Sequence, residues 1–245
     1  SLSSVLKKLQ DTANTPFEES YPIPAEANHS IEFYKHERNK IFASEWICIG
    51  REDEILDAGD YLTHNIAGVP VFIVRQPTKE ILGFVNACAH RFNCLLSNTT
   101  GKIKLITCPY HAWTYNLDGS LKGARLMGKD FNKKDWHLHK CNSKIFEGLI
   151  FINLSDSSND FEEFISPTKK FIEFHGLSNA KIAHRQYYPT NGNWKLTLDN
   201  FHECYHCQPS HPEYCSIHDP EYILAYGAGS GTGPSSEKFN QRNSQ

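Results

Sequence analysis

A chain of 245 residues with 39% hydrophobic and 22% charged residues has the length for one large domain or two modest ones, with a real core. Its net charge of −3 gives no reason to propose nucleic acid or an anionic membrane as a partner. The longest apolar stretches are strand-sized, far short of the roughly 18 to 20 residues that span a bilayer, and the N-terminus has no secretory apolar region, so a cytoplasmic protein is expected.

Residues 1–10 carry a weak helical pattern through Leu2, Val5, Leu6 and Leu9. Residues 33–43 read as a helix leading into the strand-like run 46–49, which Gly50 closes. From there to about residue 154 the pattern is one of short apolar runs, clearest at 69–74, 81–85, 103–106 and 149–152. Short strands at close spacing with Gly and Asn turns predict an antiparallel β domain. Asp118-Gly119, between Tyr115-Asn116-Leu117 and Ser120-Leu121, is a hairpin signal. Residues 155–160 are polar and Ser-rich, as a linker would be. Residues 161–174 look helical, broken or restarted at Pro167, a strand-like run follows at 182–188, and a second helix begins near Asn193. The Gly-, Ser- and Asn-rich tail 227–245 has no periodicity and reads as a loop. The expected fold class is α+β, with an N-terminal helical segment (1–43), an antiparallel β domain (44–155) and an α/β domain (156–245).

Eight Cys and 13 His are the unusual inventory. They sit at ligand-like spacings in a chain without an export signal, so metal binding is the better reading than disulfides. Cys88-Ala89-His90 is followed, after 17 residues, by Cys108-Pro109-Tyr110-His111. Two thiolates and two imidazoles suit a binuclear [2Fe–2S] cluster with two Cys on one iron and two His on the other. Each pair would lie on a loop between strands. Zinc also takes Cys₂His₂ sets, but zinc fingers keep their Cys together and their His together, and here both pairs are mixed. Cys48, Cys94 and Cys141 read as small buried hydrophobes. Further on, Glu203 and His206 are three apart and share a face on a helix. Pro209 disfavours helix at Gln208, so His211 would swing in from the following turn. Two histidines and a carboxylate with open positions form the facial triad of non-haem Fe(II) oxygenases. An adventitious zinc site of His202, Cys204, Cys207 and His206 is the competing reading.

Cys88-Ala89-His90-Arg91, then Cys108-Pro109-Tyr110-His111-Ala112-Trp113-Thr114-Tyr115 and Leu117-Asp118-Gly119, strongly resemble the Rieske domain of the α-subunits of ring-hydroxylating oxygenases. Asn193-Trp194-Lys195 and Asp199-Asn200-Phe201-His202-Glu203-Cys204-Tyr205-His206 with His211-Pro212-Glu213 resemble the mononuclear-iron half of that family. The resemblance implies a helix-grip catalytic domain, incomplete in this chain. It also implies a Rieske cluster on Cys88, His90, Cys108 and His111, and mononuclear Fe(II) on His206 and His211. The family's third iron ligand is a carboxylate far downstream, beyond the last residue here. Glu203 matches the carboxylate that bridges the iron site to a Rieske histidine of a neighbouring subunit, with Asp199 one turn before it as the competitor. A homotrimer follows from that bridge. Most members have Asp at position 203. Glu, within Glu-Cys-Tyr-His-Cys, looks like the branch that oxidises quaternary ammonium compounds such as glycine betaine, carnitine and proline betaine. Phe92-Asn93 departs from the glycine usual after Arg91. Implied partners are an NAD(P)H-dependent reductase, O₂ and a small organic substrate. The rival readings are an aromatic-ring dioxygenase and a Rieske electron carrier without oxygenase activity.

Overall fold

The computed structural model describes residues 1–16, 19, 21–202 and 206–217. These divide into two compact units, 36–185 and, in the other, 1–35 with the described residues from 186 on.

The first unit is the β domain. Seven strands form one antiparallel sheet in the order β1-β10-β9-β4-β3-β2-β5: β1 (Ile47–Arg51), β2 (Asp60–Ile66), β3 (Val69–Arg75), β4 (Ile81–Val85), β5 (Thr100–Lys102), β9 (Lys140–Phe146) and β10 (Leu149–Asn153). Three short strands, β6 (Ile106–Thr107), β7 (Thr114–Tyr115) and β8 (Leu121–Gly123), form a second sheet. Strand alternation sends successive side chains to opposite faces, and β3 shows the consequence. Val71 and Ile73 enter a core of Ile49, Ile55, Leu62, Ile66, Ile150 and Ile152. Phe72 and Val74 enter a second core with Phe84, Leu95, Ile106, Trp113 and Tyr115. Both faces of the central sheet are therefore covered, one by its own curled edges and one by the small sheet. The second core also contains Cys88 and Cys108, so the large sheet is the floor on which the thiols rest.

Two hairpins are closed by two-residue turns with positive φ at both positions: Ala67-Gly68 (φ 48° and 94°) and Glu147-Gly148 (φ 48° and 74°). That geometry matches the right-handed twist of the paired strands. Helix α4 (Phe161–Phe174) packs Phe161 and Ile165 on Trp46 and Phe151. The side chain of Asp160 caps it by accepting from Glu163 N at 3.0 Å.

In the second unit, α1 (Leu2–Asn14), α2 (Glu26–His29) and α3 (Ile31–Glu37) bury Val5, Ala27 and Phe33 together. The same unit holds α5 (Trp194–His202), α6 (Cys207–Ser210) and α7 (Pro212–Ile217).

Several expectations need correction. α4 runs unbroken through Pro167, with only one ladder bond forgone. The run 103–106 is not one strand: pairing stops after Lys102 and resumes at Ile106 in the other sheet. Residues 182–188 form no strand and are largely exposed, their aromatic content notwithstanding. The helix at 33–43 is an α-helix that widens into a π turn, Arg38–Phe42. α6 includes Gln208 and Pro209, because a proline in a helix's first turn has no intrahelical N–H bond to lose. The tail beyond residue 217 lies outside the described residues.

Candidate metal centre

Two loops built to one plan meet above the floor of the large sheet. In the first, Cys88 N donates to Asn93 O at 2.9 Å and Phe92 N donates to Cys88 O at 2.8 Å. In the second, Cys108 N donates to Trp113 O at 2.8 Å and Ala112 N donates to Cys108 O at 3.0 Å. In each loop the fifth residue, Phe92 or Ala112, turns the chain through the left-handed region, with φ 57° and 58°. A residue other than glycine there costs about 1–2 kcal/mol. This explains why a glycine is usual after Arg91: the departure at Phe92 leaves the turn intact and puts a strained backbone in its place. The loops share backbone bonds although the histidine comes two residues after the cysteine in one and three after in the other.

The loops are held from below. Asn86, itself buried, donates from Nδ2 to Leu96 O at 2.7 Å and accepts from Leu95 N and Leu96 N at 3.2 and 3.0 Å. It thereby ties together the two ends of the first loop. Tyr115, fully buried, has its hydroxyl 3.1 Å from Cys88 Sγ and accepts from Ala89 N at 3.2 Å. With Cys88 as the thiolate that a metal would take, the sulfur has no proton to give and the phenol is the donor to it. Burial, and then the neighbouring Cys88 sulfur, hold the Tyr115 phenol well above its ordinary range, so it stays a donor. Burial likewise pushes the Cys88 thiol up; a bound cation reverses that preference by taking the thiolate.

The imidazoles lie on the outer side. The His90 and His111 rings are 4.7 Å apart, and His111 is exposed while His90 is half-buried. Trp113 lies flat on His90, 4.6 Å between ring centres and 5° between planes. His90 Nδ1 is buried and has no hydrogen-bond partner among the described residues. Burial, then His111 and Arg91, lower the His90 pKa, which keeps the ring neutral and its nitrogen lone pair available. A buried, unpaired imidazole nitrogen costs free energy unless something else binds it. Two buried thiols on one side and two imidazoles on the other fit a binuclear iron–sulfur cluster, which takes two protein ligands per iron.

At the second candidate site His206 opens α6 and His211 closes it, His211 N donating to Cys207 O at 2.8 Å. Their rings are 5.4 Å apart and nearly perpendicular, at 80°. No third His, Cys, Asp or Glu completes a metal-holding group with them among the described residues. Glu203 and Cys204 lie outside the described residues; Asp199 is exposed on α5.

The Rieske [2Fe-2S] domain family matches residues 45–140, and the ring hydroxylating alpha subunit (catalytic domain) family matches residues 177–240. The chain belongs to the Rieske oxygenase α-subunit family. A glycine betaine monooxygenase oxygenase subunit of Pseudomonas aeruginosa is 35% identical to this Rieske oxygenase chain over 195 residues, 79% of this chain and 46% of that protein. The alpha subunit of a benzene 1,2-dioxygenase from Pseudomonas putida is 30% identical over 178 residues, 69% of this chain and 39% of that one. Among solved structures, a quaternary ammonium Rieske monooxygenase in complex with L-carnitine superposes with a TM-score of 0.78 at 32% identity, covering 85% of this chain and 60% of the other. The chain spans about half the length of the curated relatives it matches. The Rieske-domain match encloses both loops; the catalytic-domain match encloses His206, Glu203 and His211.

The sequence motif picked out the four candidate cluster residues and the two candidate iron histidines. Asn86, Trp113 and Tyr115 were not singled out for any role at the site. Their contacts lie 9 to 27 residues away along the chain, and no short motif records such distances. No described helix is long and apolar enough to cross a membrane.

Proposed function

We propose that this chain is part of the oxygenase component of a Rieske monooxygenase that hydroxylates or demethylates a small quaternary ammonium compound. It would use O₂ and electrons from an NAD(P)H-dependent reductase. The observation that carries the reading is the pair of matched loops with the buried, partnerless His90 Nδ1, followed along the chain by His206 and His211. When bound, a Rieske cluster stores one electron and a mononuclear iron activates O₂. Cys88, Cys108, His90 and His111 would hold the first, and His206 and His211 the second. Tyr115 donates its hydroxyl proton to Cys88 sulfur and so steadies the negative charge that builds there. The exposed edge of His111 faces solvent, where a neighbouring group can meet it. Glu203 would accept hydrogen bonds from an iron-site histidine and from a Rieske histidine of the next subunit, joining sites in a homotrimer. In this reading 44–155 is the electron-storing domain, 156–245 is part of the catalytic domain, and 1–43 packs on the latter.

A permanently charged ammonium has no hydrogen to donate, so recognition would rest on aromatic faces. The relatives support this substrate class: the glycine betaine enzyme and the carnitine-bound structure share 35% and 32% identity, against 30% for the benzene dioxygenase subunit.

The test is spectroscopic and chemical together. The iron-loaded chain should give a Rieske electron paramagnetic resonance signal on reduction, and Cys108→Ser or His111→Cys should alter or abolish it. An unaltered signal and potential in both variants would show the ligand assignment to be wrong. His206→Ala should leave the cluster signal intact and remove aldehyde release from a panel of quaternary amines. Normal turnover by His206→Ala would sink the iron-site assignment, and oxidation of benzene but no quaternary amine would favour the aromatic-ring dioxygenase.

A further inference from the structure

The surface beside His90 is charged in the opposite sense to the whole molecule. Residues 122–140 hold Lys122, Arg125, Lys129, Lys133, Lys134 and Lys140 against two acids, Asp130 and Asp135, in a chain of net charge −3. All six cations are exposed, and none takes part in a salt bridge among the described residues. The ammonium of Lys133 donates to Lys122 O at 2.9 Å, which ties residue 133 back to the start of the stretch. Asp135 is turned to Asn132, whose Nδ2 donates to both its oxygens at 3.0 Å. The same stretch carries Leu126, wholly exposed on a backbone with φ 60°, and exposed Met127. Exposed apolar side chains within a stretch whose cations outnumber its acids six to two suit a docking surface for a protein of the other charge.

Beneath that surface lies a packed aromatic path. Trp136, half-buried and two residues from Lys134, meets buried Trp113 edge-on with 5.2 Å between ring centres. Trp113 then stacks on His90 at 4.6 Å. Tunnelling falls off steeply with distance and is faster through rings in contact than across gaps, so two short steps connect the basic surface to the imidazole.

We propose that the 122–140 surface docks an acidic one-electron redox protein, whose electron enters through Trp136 and Trp113 to His90. The inference rests on the cluster reading above for its destination. One electron leaves the reduced centre of the donor and one arrives on this chain; no atom or proton changes place. The basic stretch raises the encounter rate, an effect worth about 10- to 1000-fold for steered partners and screened by salt. A small anion would bind the lysines but would have no use for the exposed Leu126 or for the aromatic path.

The experiment uses the iron-loaded chain and, as probe, a reduced acidic plant-type ferredoxin. Its binding is read on a ferredoxin-coated surface, and the electron transfer by stopped-flow absorbance of the cluster, with dithionite as a reductant that needs no docking. The double variant Lys133→Glu, Lys134→Glu should weaken binding and slow transfer roughly tenfold at low salt, lose that difference at high salt, and leave reduction by dithionite unchanged. Trp136→Leu should bind normally yet slow transfer at saturating ferredoxin, with Trp136→Phe restoring most of the rate. Unchanged binding and transfer in the charge variant would overturn the proposal. So would a fall in particle mass by light scattering with ferredoxin transfer intact, which would make the surface a contact between copies of this chain. Salt-sensitive ferredoxin binding without a Rieske signal after dithionite would count for the docking surface and against the cluster reading.

Discussion

Tyr115 does at the level of one residue what the motif spacing cannot. Its hydroxyl spans the two loops, donating to Cys88 sulfur and accepting from Ala89 N, while its own strand follows the second loop. A donor aimed at a sulfur that gains negative charge on reduction favours the reduced state. Removing it should lower the potential. A hydrogen bond to a charged acceptor that strengthens by about 1 kcal/mol on reduction corresponds to roughly 40 mV for one electron. Tyr115→Phe is therefore expected to keep the cluster and shift its midpoint downward by that order, measured by redox titration. A midpoint unchanged or raised would mean that the hydroxyl bonds elsewhere when iron is present. The protein's second-loop partner, Trp113, acts through shape: an indole stacked at 5° fixes the plane of the His90 ring, whose Nδ1 is buried.

Among elements, the hairpin loop between β7 and β8 is the most tightly specified. Tyr115 pairs with Leu121, and Asp118 accepts from Ser120 N at 2.9 Å and from Ser120 Oγ at 2.6 Å. The Ser120 hydroxyl, then its backbone N–H, hold the Asp118 carboxyl below its ordinary range. A depressed carboxyl stabilises the folded state fully above the unfolded value near 3.9, and that contribution fades as pH falls through the folded value. Asp118→Ala should thus be less stable than the parent at neutral pH, and the gap should close in acid, as urea midpoints across pH would record. Gly119 sits at φ 84° with the Phe84 ring where a Cβ would be. Gly119→Ala is expected to cost about 2–4 kcal/mol, strain and collision together; a loss below 1 kcal/mol would show that Phe84 moves aside. The hairpin was legible from Asp118-Gly119, although the loop is longer than a two-residue turn. Strands β2 and β9 were not legible. Asp60, Thr63, His64 and Asn65 in one, and Lys140, Asn142, Ser143 and Lys144 in the other, dilute the apolar alternation. Their turns, Ala67-Gly68 and Glu147-Gly148, lack the Asn or Asp that marks a primed turn. At 182–188 the error ran the other way: Ile182, Tyr187 and Tyr188 look like strand material, but no strand among the described residues pairs with them, and burial is what strand propensity measures.

At the scale of the whole molecule, the candidate cluster residues were legible because four side chains of metal-ligating type fall within 24 residues. The iron site was legible only in part, since the sequence pattern names Glu203 but the described residues do not include it. The proposed bridge has its own test. Glu203→Gln should retain the fold and both metals yet lose most turnover, because a carboxylate that orients imidazoles on both sides is replaced by an amide that can satisfy only one in the same sense. In a single-turnover experiment the reduced cluster is mixed with substrate and O₂ and its reoxidation followed. Reoxidation at the parent rate with product formed would exclude Glu203 as the bridge and make Asp199 the next residue to change. The sheet order adds a consequence in time. Among the described strands β1 pairs only with β10, about a hundred residues later, so the core around Val71 and Ile73 cannot close until residue 153 has been made. By then Cys88, His90, Cys108 and His111 have long been synthesised, and Trp136 is the last of the aromatic cover to appear. A growing chain therefore presents the candidate cluster residues first, the aromatic cover second and last the strand that closes the core on the opposite face of the sheet.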